Sequence, residues 1–302
     1  IISDYGAVRF IGIEQKFGGR YLPETKTYAA QTIAHNTIVA NEASHFSGKE
    51  SIAENYHSEK IFSSIDTTVQ VVMAKEANAY KGIGMQRTVY LLQLPDSKKI
   101  MVDIFSADSD SLQQYDLPFH YNGNLIWTNS KYKAFTATQE TLGKANGYHH
   151  LWKEAEAMLQ DTLFQLTFLN DRTYYSISSL VQGDATVYFT RSGANDPDFN
   201  LRREPGIVIR KKEKNALYVN VLEIHGSFDP ISEFSTDTYS SVKNIELLRQ
   251  DADYTIASIT IGHKKMVVAQ CNNNSTAQQV HKAAGLEWTG PVAVYYDGKK
   301  IK

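Results

Sequence analysis

Short stretches in which apolar and polar residues alternate, or in which apolar residues run unbroken for a few positions, recur along the whole chain. Ala7–Ile13, Thr32–Ala40, Thr67–Ala74, Gln86–Leu94 and Ile100–Phe105 come first. Tyr174–Val181, Thr186–Arg191, Gly206–Arg210 and Ala216–Ile224 follow, and Tyr254–Ile261, Lys265–Cys271 and Pro291–Tyr296 close the series. Polar turn residues bound them, which predicts strands. Pro95-Asp96-Ser97, the charged Lys211–Asn215 and Gly262-His263-Lys264 each separate two such stretches and predict hairpins. Asn78-Ala79-Tyr80-Lys81-Gly82 also reads as a turn between strands, and the Gly- and Asn-rich Leu142–His150 as a loop. Helical signal is scarce. Trp152–Leu159, with its mixed period, predicts one short helix, and Ser275–Ala284 is either a helix capped by Ser275 or a strand with its turn. The pattern predicts an all-β protein of large stacked antiparallel sheets, a β-sandwich, with few short helices.

Composition agrees with that reading. Eighteen Tyr and thirteen Phe stand among many Val, Ile and Thr, residues that suit a pleated, half-buried surface. A chain of 302 residues, 42% hydrophobic, can bury a sizeable core. The net charge of −2 provides no global field for nucleic acid or an anionic membrane, so an anionic partner would need a local basic site. The single cysteine, Cys271, excludes an intrachain disulfide. No apolar run reaches the roughly 18 residues that a membrane-spanning helix needs. The start, Ile1-Ile2-Ser3-Asp4, is neither an initiator Met nor the small polar beginning left by signal cleavage, and predicts missing sequence upstream.

Chemistry concentrates near the N-terminus. His35 lies in Gln31-Thr32-Ile33-Ala34-His35-Asn36-Thr37-Ile38-Val39, apolar on both sides. As a strand this segment would place Ile33, His35 and Thr37 on one face. His35 is then either a core histidine bonded to backbone or a metal ligand or catalytic imidazole. Asp4, before Tyr5-Gly6, is a turn carboxylate or a second ligand. Two ligands do not make a zinc site, which takes three or four. Gly18-Gly19-Arg20-Tyr21-Leu22-Pro23-Glu24 presents a cation beside a phenol. Arg20 could clamp a carboxylate, and Tyr21 could stack on a sugar or move a proton. Tyr115–Tyr121 groups aromatics around Asp116 and His120, a groove lining or a packed core. His149 and His150 would point to opposite faces of an extended chain. Arg202-Arg203 and Arg210-Lys211-Lys212 would meet a polyanion or form a solvated hairpin face. No Gly-rich phosphate loop, paired-Cys motif or nucleophile elbow is present.

Asp4-Tyr5-Gly6, the Gly18–Glu24 loop and Ala34-His35-Asn36-Thr37-Ile38-Val39 resemble the start of the β-sheet region of heparinase II/III-like polysaccharide lyases. The Gly-Gly-Arg-Tyr-Leu-Pro-Glu loop is most similar to the alginate and oligoalginate branch. Tyr115–Tyr121, Gly147–Trp152 and Gly193–Arg202 extend the likeness. The resemblance implies that residues 1–302 are the C-terminal β-sandwich region of a lyase, with an α/α toroid upstream as the other wall of the cleft. It implies β-elimination at a uronic acid of an anionic polysaccharide such as alginate, with the main acid–base residues on the toroid. It implies a structural zinc held by Asp4, His35 and an upstream third ligand, a substrate contact by Tyr21, and a periplasmic or secreted location. Arg20 is added as a carboxylate contact. Two other readings stay open: a glycosaminoglycan lyase of the same superfamily, and a non-catalytic carbohydrate-binding module.

Overall fold

The computed structural model describes residues 2–6, 22–193, 201–273 and 276–302. The expected strand at Ala7–Ile13 falls outside them. The expectation of an all-β fold holds. A large antiparallel sheet contains β1 (Val39–Ala40), β2 (Glu59–Ile65), β3 (Val69–Tyr80), β4 (Ile83–Gln93), β5 (Lys99–His120), β6 (Asn124–Thr128), β7 (Lys133–Ala134), β8 (Leu151–Asn170), β9 (Thr173–Ser192), β10 (Pro205–Asp229) and β11 (Phe234–Thr236). Its main path runs β2-β3-β4-β5-β10-β9-β8-β6. A smaller sheet combines β12 (Val242–Gln250), β13 (Tyr254–Ile261), β14 (Lys264–Cys271), β17 (Val292–Tyr296) and β18 (Lys299–Lys300). Between β14 and β17, β15 (Val280–Ala283) and β16 (Leu286–Thr289) form a separate hairpin.

Three layers of core follow from the pleat. On β10, Ile207, Ile209, Ala216, Tyr218 and Leu222 join one large cluster with Leu117 and Phe119 of β5 and Phe164, Leu166 and Phe168 of β8. On the opposite face, Leu217, Val219 and Val221 pack against Val242, Ile245, Ala257 and Val268 of the smaller sheet. At the other end of that face, Val208 packs beneath the N-terminal segment, where Tyr5, Leu22, Tyr28, Ile33 and Ala34 are buried with Tyr148 and Leu151.

The long strands correct three readings. Lys211–Asn215 is not a hairpin turn but the middle of β10, where the register with β5 shifts between Glu213 and Asn215. Trp152–Leu159 is not helical: it begins β8 and pairs with β9. Thr32–Ala40 is not a strand. Thr32–Ala34 forms a single 3-10 turn, and only Val39–Ala40 pairs with β5. Its apolar residues are buried by loop packing, with Ile33 in the N-terminal cluster and Ile38 in the large one. The Ser275–Ala284 region ends in β15, the strand reading. The hairpins at Pro95–Ser97 and Gly262–Lys264 form as expected, whereas of Asn78–Gly82 only Lys81-Gly82 make the turn and Asn78–Tyr80 end β3.

Candidate functional site

His35 follows the 3-10 turn in extended backbone, and its Nδ1 lies 2.7 Å from Asp4 Oδ2. Thirty-one residues separate the two, so the fold has to bring them together, and Asn36 does this. Its amide Nδ2 donates to Ser3 O (2.6 Å), and its Oδ1 accepts from His120 N (2.8 Å). Ser3 N in turn donates to His120 O (2.8 Å). One side-chain amide thus extends the edge pairing of β5 to the Asp4 segment, placing Asp4 beside His35.

Below Asn36 lies a buried polar chain. Arg87 Nη1 donates to Asn36 O (2.6 Å), while its Nε and Nη2 grip Asp103 at 2.7 and 3.1 Å. The Asp103 side chain is wholly buried, and it also accepts from Asn220 Nδ2 (3.2 Å), whose Oδ1 accepts from Ser179 (2.8 Å). A buried carboxylate is tolerated only when paired and hydrogen-bonded, as here. Asn36, Arg87 and Asp103 are the residues that pattern reading missed as site builders. The only signal was Asp103 itself, a charge set between Val102 and Ile104 in an apolar run.

Burial raises the Asp4 carboxyl, but the hydrogen bond and charge of His35 and the N–H of Gly6 (2.9 Å) outweigh it and hold the group below the usual carboxylate range. Both side chains of the pair keep contact with solvent, at 38% for His35 and 55% for Asp4. An imidazole nitrogen and a carboxylate oxygen, adjacent, oriented and accessible, are the right donor types for two positions of a zinc set. A bound ion would take the place of the proton that the pair shares. Among the described residues, no group of three or more His, Cys, Asp or Glu is placed to hold a metal. Arg20 and Tyr21, the expected substrate contacts, lie outside the described residues. Leu22, the next residue, is buried in the same cluster as Tyr5.

Other candidates prove structural. Buried His120 donates from Nε2 to Ile33 O (2.8 Å), and burial first of all lowers its pKa. Tyr80 donates to Ala43 O (2.6 Å) and accepts from Ala40 N (3.2 Å), while burial raises its hydroxyl well above the usual range. Neither is poised as a base. His149 and His150 sit in a 3-10 turn rather than an extended chain, which brings their rings to 4.1 Å instead of opposite faces. The basic cluster is a solvated face only in part: Arg202, Arg203 and Lys212 are exposed, whereas Arg210 and Lys211 are engaged within the protein. Arg210 forms a two-pronged pair with Asp116, both contacts at 2.7 Å, and reaches Glu42 at 2.9 Å. Tyr148 donates to the same Asp116 carboxylate (2.7 Å). Lys211 is buried and donates to Leu217 O (2.9 Å), and the Arg202 guanidinium lies over the Tyr5 ring at 4.3 Å.

Residues 1–227 match the family model described as "Heparinase II/III-like, C-terminal". The chain belongs to this heparinase II/III-like family. An exo-oligoalginate lyase of Saccharophagus degradans is 37% identical over 300 residues, which cover 96% of this chain and 40% of that protein. An alginate lyase of Stenotrophomonas maltophilia is 34% identical, with the same coverage. The chain therefore spans about 40% of the length of these curated relatives. Among solved structures, a heparinase III gene product matches with a TM-score of 0.57 at 9% identity, covering 89% of this chain and 34% of that one. A heparan sulfate lyase from Pedobacter heparinus matches with a TM-score of 0.56 at 12% identity, covering 89% of this chain and 35% of that one. At such identities, these two establish the heparinase II/III-like fold alone. Among the described residues, no helix is long and apolar enough to cross a membrane.

Proposed function

We propose that this chain forms one wall of a polysaccharide lyase that cleaves alginate by β-elimination at a uronic acid. The observation that carries the reading is the match of nearly the whole heparinase II/III-like chain to curated alginate lyases. The geometry of Asp4, His35 and Asn36 supports it.

Elimination makes three demands. The uronate carboxylate has to be neutralised as the C5 proton leaves, a base has to take that proton, and an acid has to protonate the departing O4. Tyr21 would contact the sugar, and Arg20 would pair its carboxylate through two parallel hydrogen bonds. Asn36 fixes the loop that carries His35, and Arg87 fixes Asn36. His120 and Tyr80 are committed to backbone partners, so the main proton-transfer groups come from the other wall. Asp4 and His35 would hold zinc together with a ligand outside this chain, and the ion, when bound, would tie neighbouring segments together rather than activate water. A polymeric substrate also favours export to the periplasm or beyond.

The test is the ultraviolet absorbance of C4–C5 unsaturated product. The full-length protein should produce it from alginate, while residues 1–302 alone should show negligible turnover and hold no tight zinc by metal analysis. Turnover by the isolated chain would overturn the two-wall reading. No product from alginate but product from heparin or chondroitin would move the substrate to glycosaminoglycans. Binding without any product would leave a carbohydrate-binding module.

A further inference from the structure

A second cluster of exposed residues lies away from Asp4 and His35, at the free edge of the large sheet. Trp127, on β6, is 36% exposed, and Tyr239, on the loop before β12, is 68% exposed. Their ring centroids are 5.9 Å apart with planes at 85°, an edge-to-face pair that forms a corner partly open to solvent. Exposed rings on a loose loop would mean little, but this loop is tied down on both sides of Tyr239. His225 bonds Asp237 O (2.7 Å) through Nδ1 and Ser176 Oγ (2.8 Å) through Nε2. On the other side, buried Glu223 accepts from Ser240 Oγ (2.7 Å), Ser241 N (2.9 Å) and Ser241 Oγ. Gln165 of β8 reaches Val242 O (2.8 Å). Burying a carboxylate to hold a surface loop makes sense when the position of what the loop presents matters.

Trp127 is also aimed. The register of β6 against β8 slips between Leu125 and Trp127, a bulge that turns the strand at Ile126. A bulged edge is a poor template for pairing with another strand, so an added β-strand from a protein partner is disfavoured. Two rings also fall far short of the roughly 800 Å² per partner of a specific protein interface. They do match a sugar ring, whose C–H faces stack on aromatic planes. A cation is close by: Lys243 Nζ donates to Ser240 O (3.1 Å), at the residue after Tyr239.

We propose that Trp127, Tyr239 and Lys243 form a subsite for a uronate sugar of the polysaccharide. This rests on the reading of the chain as a wall of a uronate-cleaving lyase. The connection is short: seven residues separate Trp127 from His120, beside which the Asp4 segment is paired, a span of at most roughly 25 Å. Gly123 shapes the connection. Its φ is +99°, and an added Cβ would meet Leu169 O at 2.2 Å, so only glycine lets β6 turn back so closely on β8.

The test compares the full-length protein with its Trp127→Ala, Tyr239→Ala, Tyr239→Phe and Lys243→Gln variants. Affinity electrophoresis through gels containing alginate reads binding without any need for turnover. The two alanine variants should lose roughly tenfold in affinity, Lys243→Gln should lose less and lose its difference at high salt, and Tyr239→Phe should keep binding. In the unsaturated-product assay, KM on polymeric alginate should rise far more than KM on a trisaccharide. Wild-type turnover with unchanged retardation of both alanine variants would overturn the subsite while leaving the lyase reading intact. Retardation that depends on Trp127 and Tyr239 without turnover would overturn the lyase reading and leave the subsite standing. An altered oligomeric state of the alanine variants with unchanged alginate affinity would make the corner a protein interface and overturn the proposal.

Discussion

Asn36 shows how much one amide can do. Its two bonds substitute for backbone rungs between the Asp4 segment and the end of β5. Asn36→Ala should therefore cost about 1–3 kcal/mol, seen as a lower urea midpoint, and should lower the zinc affinity of the full-length protein. Buried His120 and half-buried His45 contribute a pH dependence. Burial first of all lowers the pKa of both His45 and His120 below 6.5. When the chain unfolds, they return to near 6.5 and take up protons that the folded state refuses. Their contribution is complete above pH 6.5 and is lost as pH falls below it. Urea midpoints measured between pH 7.5 and 5.5 should fall, and His120→Gln should flatten part of that fall. At this scale the sequence disclosed the residue types of the Asp4–His35 pair but not the reason they meet. Ile33 and Ile38 on either side of His35 suggested a strand, whereas they are buried in two different clusters by an irregular segment. A period-2 pattern cannot tell burial by a sheet from burial by a loop.

The elements that define the molecule are strands of twenty residues or more, β5, β8, β9 and β10. Their polar middles, such as Lys212–Lys214 on β10 and Gly183–Asp184 on β9, are largely exposed, yet they lie inside continuous strands. There the register between neighbouring strands shifts, and consecutive residues on both faces meet water. A polar stretch at such a register shift has the composition of a turn while the chain continues onward, which is why Lys211–Asn215 misled. Trp152–Leu159 misled for another reason: its Ala and Glu favour a helix, but pairing with β9 and with β7 decides its state. Four strands are also joined by polar side chains, since Arg87, Asp103, Asn220 and Ser179 belong to β4, β5, β10 and β9. Arg87→Met would leave the Asp103 charge buried without its cation and should cost roughly 3–5 kcal/mol. Adding Asp103→Leu should recover a large part, and a double-mutant cycle in urea would show the coupling.

For the whole molecule, the class of fold was legible because alternation repeated from end to end, and the family was legible because its motifs stand near the start of the chain. The number of layers was not, since nothing local states that one face of β10 serves both the smaller sheet and the N-terminal segment. Sharing strands among the layers predicts cooperative loss of structure. Tryptophan fluorescence and far-ultraviolet circular dichroism should report the same urea transition, although Trp127 lies on the large sheet and Trp288 on the β15–β16 hairpin. The same sharing governs movement. Strands that run uninterrupted through their exposed middles leave, among the described residues, no seam along which one half of the large sheet could swing against the other. A displacement of one end of these strands is therefore carried to the other.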